Sequence, residues 1–170
     1  MNPFDVNRAL ASMVILVDTR EQDTARARKR WEQIGVPFER ATLKFGDYSV
    51  KCDMLDLRNV VSLERKMDID ELAHCYCRDR KRFVREFERA KEAGAKMYLL
   101  VENGSLDEAY SGHYRSKVHP ASLTASMFAW LARYNCQILF CDEGNSGKVI
   151  HDVLYRELKE HLEAIDDEDS

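Results

Sequence analysis

Met13-Val14-Ile15-Leu16-Val17 is an unbroken apolar, mostly β-branched run, the pattern of a strand buried on both faces. It ends in Asp18-Thr19-Arg20-Glu21. From about Asp23 the period becomes helical, with Ala27, Trp31 and Ile34 on one face, and Gly35 then Pro37 predict the stop. Phe38 to Leu43, Tyr48 to Cys52 and Val60 to Glu64 read as three successive strands in a meander, with Gly46-Asp47 at the first turn. From Asp70 the helical period returns through Leu72, Ala73 and Tyr76. It resumes after a basic cluster with Phe83, Phe87 and Ala90, and stops at Gly94. Lys96 to Glu102 is a further buried strand, followed by a polar loop, Ser111 to Lys117. Pro120 sits where an N1 proline opens a helix carrying Leu123, Met127 and Leu131. Cys136 to Cys141 reads as the last strand, and Ser146 to about Ile165 as the last helix.

The pattern predicts one α/β domain over residues 13–165, a mixed sheet with helices on both faces. Residues 1–12 show no clear period and read as a surface leader; 166–170 read as a solvated acidic tail. The length suits a single core without disulfide or metal staples.

Composition changes this picture only in places. No apolar run is long enough to span a membrane, and the N-terminus lacks the basic and apolar regions of a signal peptide. Five cysteines, an odd number in apolar or amphipathic contexts, favour reduced thiols and a cytoplasmic setting. The net charge of −4 argues weakly against a nucleic-acid partner, but its distribution matters more. The acidic tail carries much of the excess, while Arg78, Arg80, Lys81, Arg82, Arg85, Arg89 and Lys91 crowd one short segment.

The chemistry concentrates between Gly46 and Asp70. Asp18, Glu21, Asp47 and Glu64 fall at strand ends or adjacent turns, and brought together they would form an oxygen-rich site suited to Mg²⁺ or Mn²⁺ rather than zinc. Taken singly, each is an ordinary turn residue; as a set, like charges need a cation to justify them. Lys66 would sit beside the attacking water, Arg65 would pair with a carboxylate or a phosphate, and Asp70 would support the site or cap a helix with Asp68. Arg80, Arg82 and Arg85, with Arg115 and Lys117 in the polar loop, are the DNA-contact candidates. The bland alternative is a solvated helix face laced with pairs such as Arg82–Glu86. Two motifs are set aside. Gly144 to Lys148 resembles a phosphate loop but has Asp142 and Val149 where glycine and Ser or Thr belong. His74, Cys75 and Cys77 lack a second ligand pair for zinc.

Gly46-Asp47, then Glu64-Arg65-Lys66 with three residues before Asp70, resembles the G-D…E-R-K-x-x-x-D signature of XPF-type structure-specific endonucleases. Val17-Asp18-Thr19-Arg20-Glu21 is similar to that family's V-D-x-R-E strand, and Arg80 to Phe83 to its arginine-rich helix. The resemblance implies a restriction-endonuclease-like fold and divalent-metal-dependent cleavage of branched or flapped DNA in repair, recombination or replication. It makes Asp18, Glu21, Asp47 and Glu64 metal-site candidates and Lys66 the catalytic lysine; Asp18 and Arg65 join Asp47, Glu64 and Lys66 as catalytic candidates. Cellular members append helix-hairpin-helix modules and work in pairs. This chain ends soon after the nuclease-like part, so a stand-alone form resembling viral or prophage members is expected, in the cytoplasm or at the nucleoid, with pairing through the C-terminal helices. The rival expectation is a non-catalytic DNA-binding or scaffold subunit. Against it stand Asp18, Asp47, Glu64 and Lys66, which a degenerate partner would not need.

Overall fold

Strand parity divides the apolar residues between two cores on opposite faces of one sheet. The computed structural model describes residues 3–168, with side chains described for 5–165. The chain runs α1 (Pro3–Ala11), β1 (Val14–Asp18), α2 (Ala25–Ile34), β2 (Phe38–Ala41), β3 (Tyr48–Lys51), β4 (Val61–Lys66) and α3 (Ile69–Cys77). It continues α4 (Arg80–Glu92), β5 (Lys96–Glu102), α5 (Leu106–Ser111), α6 (Pro120–Arg133), β6 (Cys136–Cys141), a 3₁₀ turn at Glu143–Asn145, and α7 (Ser146–Glu168). The sheet order is β2-β1-β3-β4-β5-β6. Along β5, Tyr98 and Leu100 face one core with α1, α2 and α7. Met97, Leu99 and Val101 face the other with α3 to α6, where Trp130, Phe83, Phe87 and Tyr76 interlock.

The predicted meander is corrected. β2 pairs in parallel with β1, and β3 takes the other edge of β1 antiparallel before pairing with β4. The reason lies in side-chain character. Apolar on both faces, β1 needs a neighbour on each side, whereas β2 exposes Phe38, Glu39 and Arg40 and suits an edge. β4, β5 and β6 run parallel. The carboxyl ends of β1, β4 and β5 therefore share one edge of the domain with the start of β3.

Within the stretch expected to be a surface leader, Pro3–Ala11 form α1. Val6, Ala9 and Leu10 recur at helical spacing on α1 and are buried in the first core. At the other end, α7 spends its apolar stripe, Ile150, Leu154, Leu158 and Leu162, on the same core. The side chains of the acidic tail, 166–170, lie outside the described residues. Gly147, in the stretch resembling a phosphate loop, is explained by packing: a Cβ there would lie 2.3 Å from the Arg30 carbonyl oxygen, so α7 meets α2 only with glycine at this point. No described helix is long and apolar enough to cross a membrane.

Candidate active site

Strand β4 reads Val61-Ser62-Leu63-Glu64-Arg65-Lys66, and its period of two sends Glu64 and Lys66 to one face and Arg65 to the other. Lys66 Nζ donates to Glu64 Oε1 at 2.6 Å, with both side chains about nine-tenths buried. Asp47 reaches the same place from the turn before β3. Gly46 has φ +72°, and a Cβ on it would lie 2.0 Å from Ser62 Oγ, so only glycine lets the turn lie against β4. The Asp47 N–H donates to the Leu63 carbonyl at 2.9 Å, and its own carbonyl accepts from the Asp18 N–H at 2.8 Å. The carboxylate accepts the Arg65 N–H at 2.8 Å. Two strands, β1 and β4, thus fix the backbone that carries Asp47 at the start of β3.

These groups open onto a cavity of about 210 Å³. Its lining includes five carboxylates, Asp47, Glu64, Glu71, Asp79 and Glu86, against three cations, Arg20, Lys66 and Arg82. Burial, then the neighbouring Asp47, pushes the Glu64 carboxyl up to about 7. Burial likewise raises Asp47 to about 6, even though Lys66 and the Arg65 N–H pull it down. Burial alone would lower the Lys66 ammonium, but the acidic groups beside it, Glu64 foremost and Asp47 among them, together more than reverse this and keep the group charged. One ammonium cannot neutralise two carboxylates. The site carries an excess of buried negative charge.

Of the four carboxylates expected to share a cation, the structure brings together Asp47 and Glu64. Asp18 is 1% exposed and does not line the cavity. Its Oδ1 accepts from the Arg20 N–H at 2.9 Å and from Arg20 Nε at 2.6 Å, and its Oδ2 from the Leu43 N–H at 2.8 Å. Glu21 turns to Arg30 at 3.2 Å and Arg65 at 3.6 Å. Arg65 sends its guanidinium away from the cavity to Glu102 at 3.2 Å, leaving its N–H as its contribution to Asp47. Parity accounts for Arg65, since a strand residue of odd register cannot share a face with its even neighbours, whereas Asp18 and Glu21 are drawn off by the cations and N–H groups that surround them.

Among the described residues no three His, Cys, Asp or Glu side chains converge closely enough to cage an ion directly. Mg²⁺ takes one or two protein carboxylates and keeps several waters, and Asp47 and Glu64 on one cavity wall supply that number of carboxylates. The donors are hard oxygens, and the one sulfur nearby, Cys75, has its thiol pushed up to about 11 by burial. The residues present therefore fit a hydrated, oxygen-seeking divalent cation.

The basic helix α4 leans over this cavity. Arg80, Arg82 and Arg85 are exposed, none forms an ion pair among the described residues, and of the three Arg82 lines the cavity. The expected Arg82–Glu86 pair is replaced by Arg89–Glu86 at 2.7 Å. Arg115, 85% exposed, lies 3.2 Å from Asp70 and 3.8 Å from Asp68. Asp70 also accepts the Ser116 N–H at 2.6 Å, so it ties the polar loop to α3, while Asp68 caps that helix through the Glu71 N–H at 2.8 Å. Lys117 is exposed in an open groove beside Arg78 and Arg115. His74 lies 3.2 Å from Asp79, Cys75 is buried and Cys77 exposed. Sequence reasoning missed Glu86. The signal was present, since Phe83, Glu86, Phe87 and Ala90 share one buried helix face, and a carboxylate in an apolar stripe calls for a reason.

Helices on both faces of a mixed sheet, with an acidic cavity where the carboxyl end of β4 meets the start of β3, the one strand that runs against the others, put this chain in the restriction-endonuclease-like class of α/β domains. By its sequence, the chain belongs to the ERCC4 domain family, whose profile matches residues 17–152. The chain is similar in structure to XPF from Aeropyrum pernix, with a TM-score of 0.61 and 22% identity over 85% of this chain and 61% of that one. The same protein in complex with DNA matches with a TM-score of 0.61 and 23% identity, over 84% of this chain and 63% of that one. This chain therefore spans less than two thirds of the length of either solved relative. No curated protein matches it by sequence.

Proposed function

We propose that this chain is a divalent-cation-dependent DNA endonuclease, hydrolysing phosphodiester bonds at branched or flapped structures and working with a second copy or a partner subunit. The observation that carries the reading is the carboxylate pair of half-buried Asp47 and buried Glu64, sharing the single ammonium of Lys66 in a net-acidic cavity beneath a helix whose Arg80, Arg82 and Arg85 have no acidic partner among the described residues. A cation held by Asp47 and Glu64 would neutralise phosphate charge and lower the pKa of an attacking water. Lys66, kept protonated, offers a fixed positive charge to the scissile phosphate rather than a base. Arg82 on the cavity rim takes a neighbouring phosphate, and Arg80 and Arg85 extend that contact along the backbone without reading sequence. The solved relative with DNA supports the choice of polymer.

The test is cleavage of labelled flap, fork, four-way-junction and plain duplex DNA in Mg²⁺, Mn²⁺ or EDTA, for the wild type and Asp47→Asn. Cutting near the branch that needs the cation, reduced about 100-fold or more in the variant while DNA binding persists, is the expected result. Binding without cutting in any cation would transfer the leading place to a non-catalytic DNA-binding subunit. Absence of binding would overturn both.

A further inference from the structure

We propose that Glu86 is the third carboxylate of the cation site: its Oε2 accepts a hydrogen bond from the ion's hydration water, while Asp47 and Glu64 supply the direct ligands. This rests on the endonuclease reading and adds to it a residue outside the Gly-Asp and Glu-Arg-Lys motifs.

Glu86 lies on the buried face of α4 with its side chain about nine-tenths buried. Its Oε1 is well held, by Arg20 Nη1 at 3.2 Å and by Arg89 Nη2 at 2.7 Å. Its Oε2 is buried and has no hydrogen-bond partner, and the residue lines the cavity that Asp47 and Glu64 line. An unmatched buried polar atom costs roughly 1–3 kcal/mol, and more when charged. Anchoring two arginines through one oxygen does not explain the second. A donor arriving with the ligand does. The cavity's 210 Å³, against about 30 Å³ per liquid water, leaves room for an ion with part of its shell. Glu86 stands close enough to Glu64 for its charge to push that carboxyl up, and among the described residues no three acidic side chains meet closely enough to cage an ion, so an intervening water makes the reach to Glu86.

This also gives Asp18 a place. It fixes Arg20 at 2.6 Å, and Arg20 in turn holds Glu86, so a chain of charge-assisted bonds runs from the end of β1 to α4 and secures Glu86 beside the cavity. Asp18 is a positioning residue acting through Arg20, not a ligand.

The test is Mn²⁺ binding to the full chain without DNA, followed by calorimetry or by the electron paramagnetic resonance of free Mn²⁺, alongside thermal unfolding. Asp47→Asn should abolish binding. Glu86→Gln, which keeps shape and removes charge, should weaken it about tenfold or more. Glu86→Asp, which keeps the charge one methylene back, should recover part of that loss. A merely structural Glu86 would lower the Tm and leave Mn²⁺ affinity alone. Wild-type affinity in Glu86→Gln beside lost affinity in Asp47→Asn would overturn the Glu86 assignment and spare the nuclease reading. A wild type that binds no Mn²⁺ would overturn both. If Glu86→Gln does not fold, Glu86→Asp decides alone, and unchanged affinity there overturns the assignment.

Discussion

Two acidic clusters lie on either side of β4, equally buried and oppositely resolved. On one side, Glu21 and Glu102 face Arg30 and Arg65, with Arg30 Nε to Glu102 at 3.1 Å, Arg65 Nη1 to Glu102 at 3.2 Å and Arg30 Nη1 to Glu21 at 3.2 Å. Two carboxylates meet two guanidiniums, and the one fully buried polar atom of these groups without a partner is Arg65 Nε. On the other side, Asp47 and Glu64 share a cavity with one ammonium, Lys66, and both are pushed toward neutrality, while Glu86 beside them is held through one oxygen by Arg20 and Arg89. Burial does not tell the clusters apart, since Glu102 is 0% exposed and Glu64 8%. Matching does. Paired buried charge is architecture, whereas like charge left unmatched around a void is arranged for something that arrives later.

The sharpest way to break this comparison is to unpair the closed cluster. Glu102→Gln leaves Arg30 and Arg65 short of a counter-charge in a dry site, and breaking such a pair costs about 3–5 kcal/mol. Denaturant unfolding should show a loss of that size. Asp47→Asn, which relieves repulsion, should keep or raise the stability. Equal losses in the two variants would erase the distinction between the clusters.

A smaller effect should appear in the pH dependence of the cation-free protein. Unfolded Asp and Glu ionise near pH 4. In the folded chain Asp47 and Glu64 hold their protons to about 6 and about 7. Between these limits the folded state binds more protons than the unfolded one, so stability falls as pH rises, by an amount on the order of a few kcal/mol. Thermal unfolding from pH 4.5 to 8 in EDTA, with the double variant Asp47→Asn/Glu64→Gln subtracted, should show that fall. Saturating Mg²⁺ should flatten it, because the ion binds the ionised pair. A wild type that gains stability over the variant as pH rises in EDTA would sink the account of the open cluster.

The two clusters also differ in how far the sequence revealed them. Glu64, Lys66 and Asp47 were legible because local rules fix them: strand parity for the first two, and Gly46 for the turn that carries the third. The same parity, applied to Arg65, predicts that it leaves the cavity. What the sequence hid depends on long-range pairing. Asp18 and Glu21 stand at a strand end like Asp47, and only the fold gives them Leu43, Arg30 and Arg65 as partners. The meander failed for a related reason: hydrophobic alternation marks each strand but not its neighbour, and β1 could claim both β2 and β3 only once α2 carried the chain across. Glu86 was readable as a charge in an apolar helix stripe, but its orphan oxygen was not.

The mildest test carries the idea of matching onto the surface. Arg82 and Arg115 are both exposed, yet Arg82 has no acidic partner among the described residues and Arg115 has two, Asp70 and Asp68. An arginine that neutralises a phosphate releases counterions, contributing about 0.9 to the slope of log affinity against log salt on duplex DNA. Arg82→Ala should lower the slope by about that amount and weaken binding alike on every substrate. Arg115→Ala should change it less, since Asp70 and Asp68 already hold that charge and would have to release it to DNA. Salt titrations of the two variants on one fork substrate make the check. If Arg115→Ala flattens the slope as much as Arg82→Ala, pairing seen in the free chain does not mark which surface charges are reserved for structure, and matching distinguishes scaffold from site only where the charge is buried.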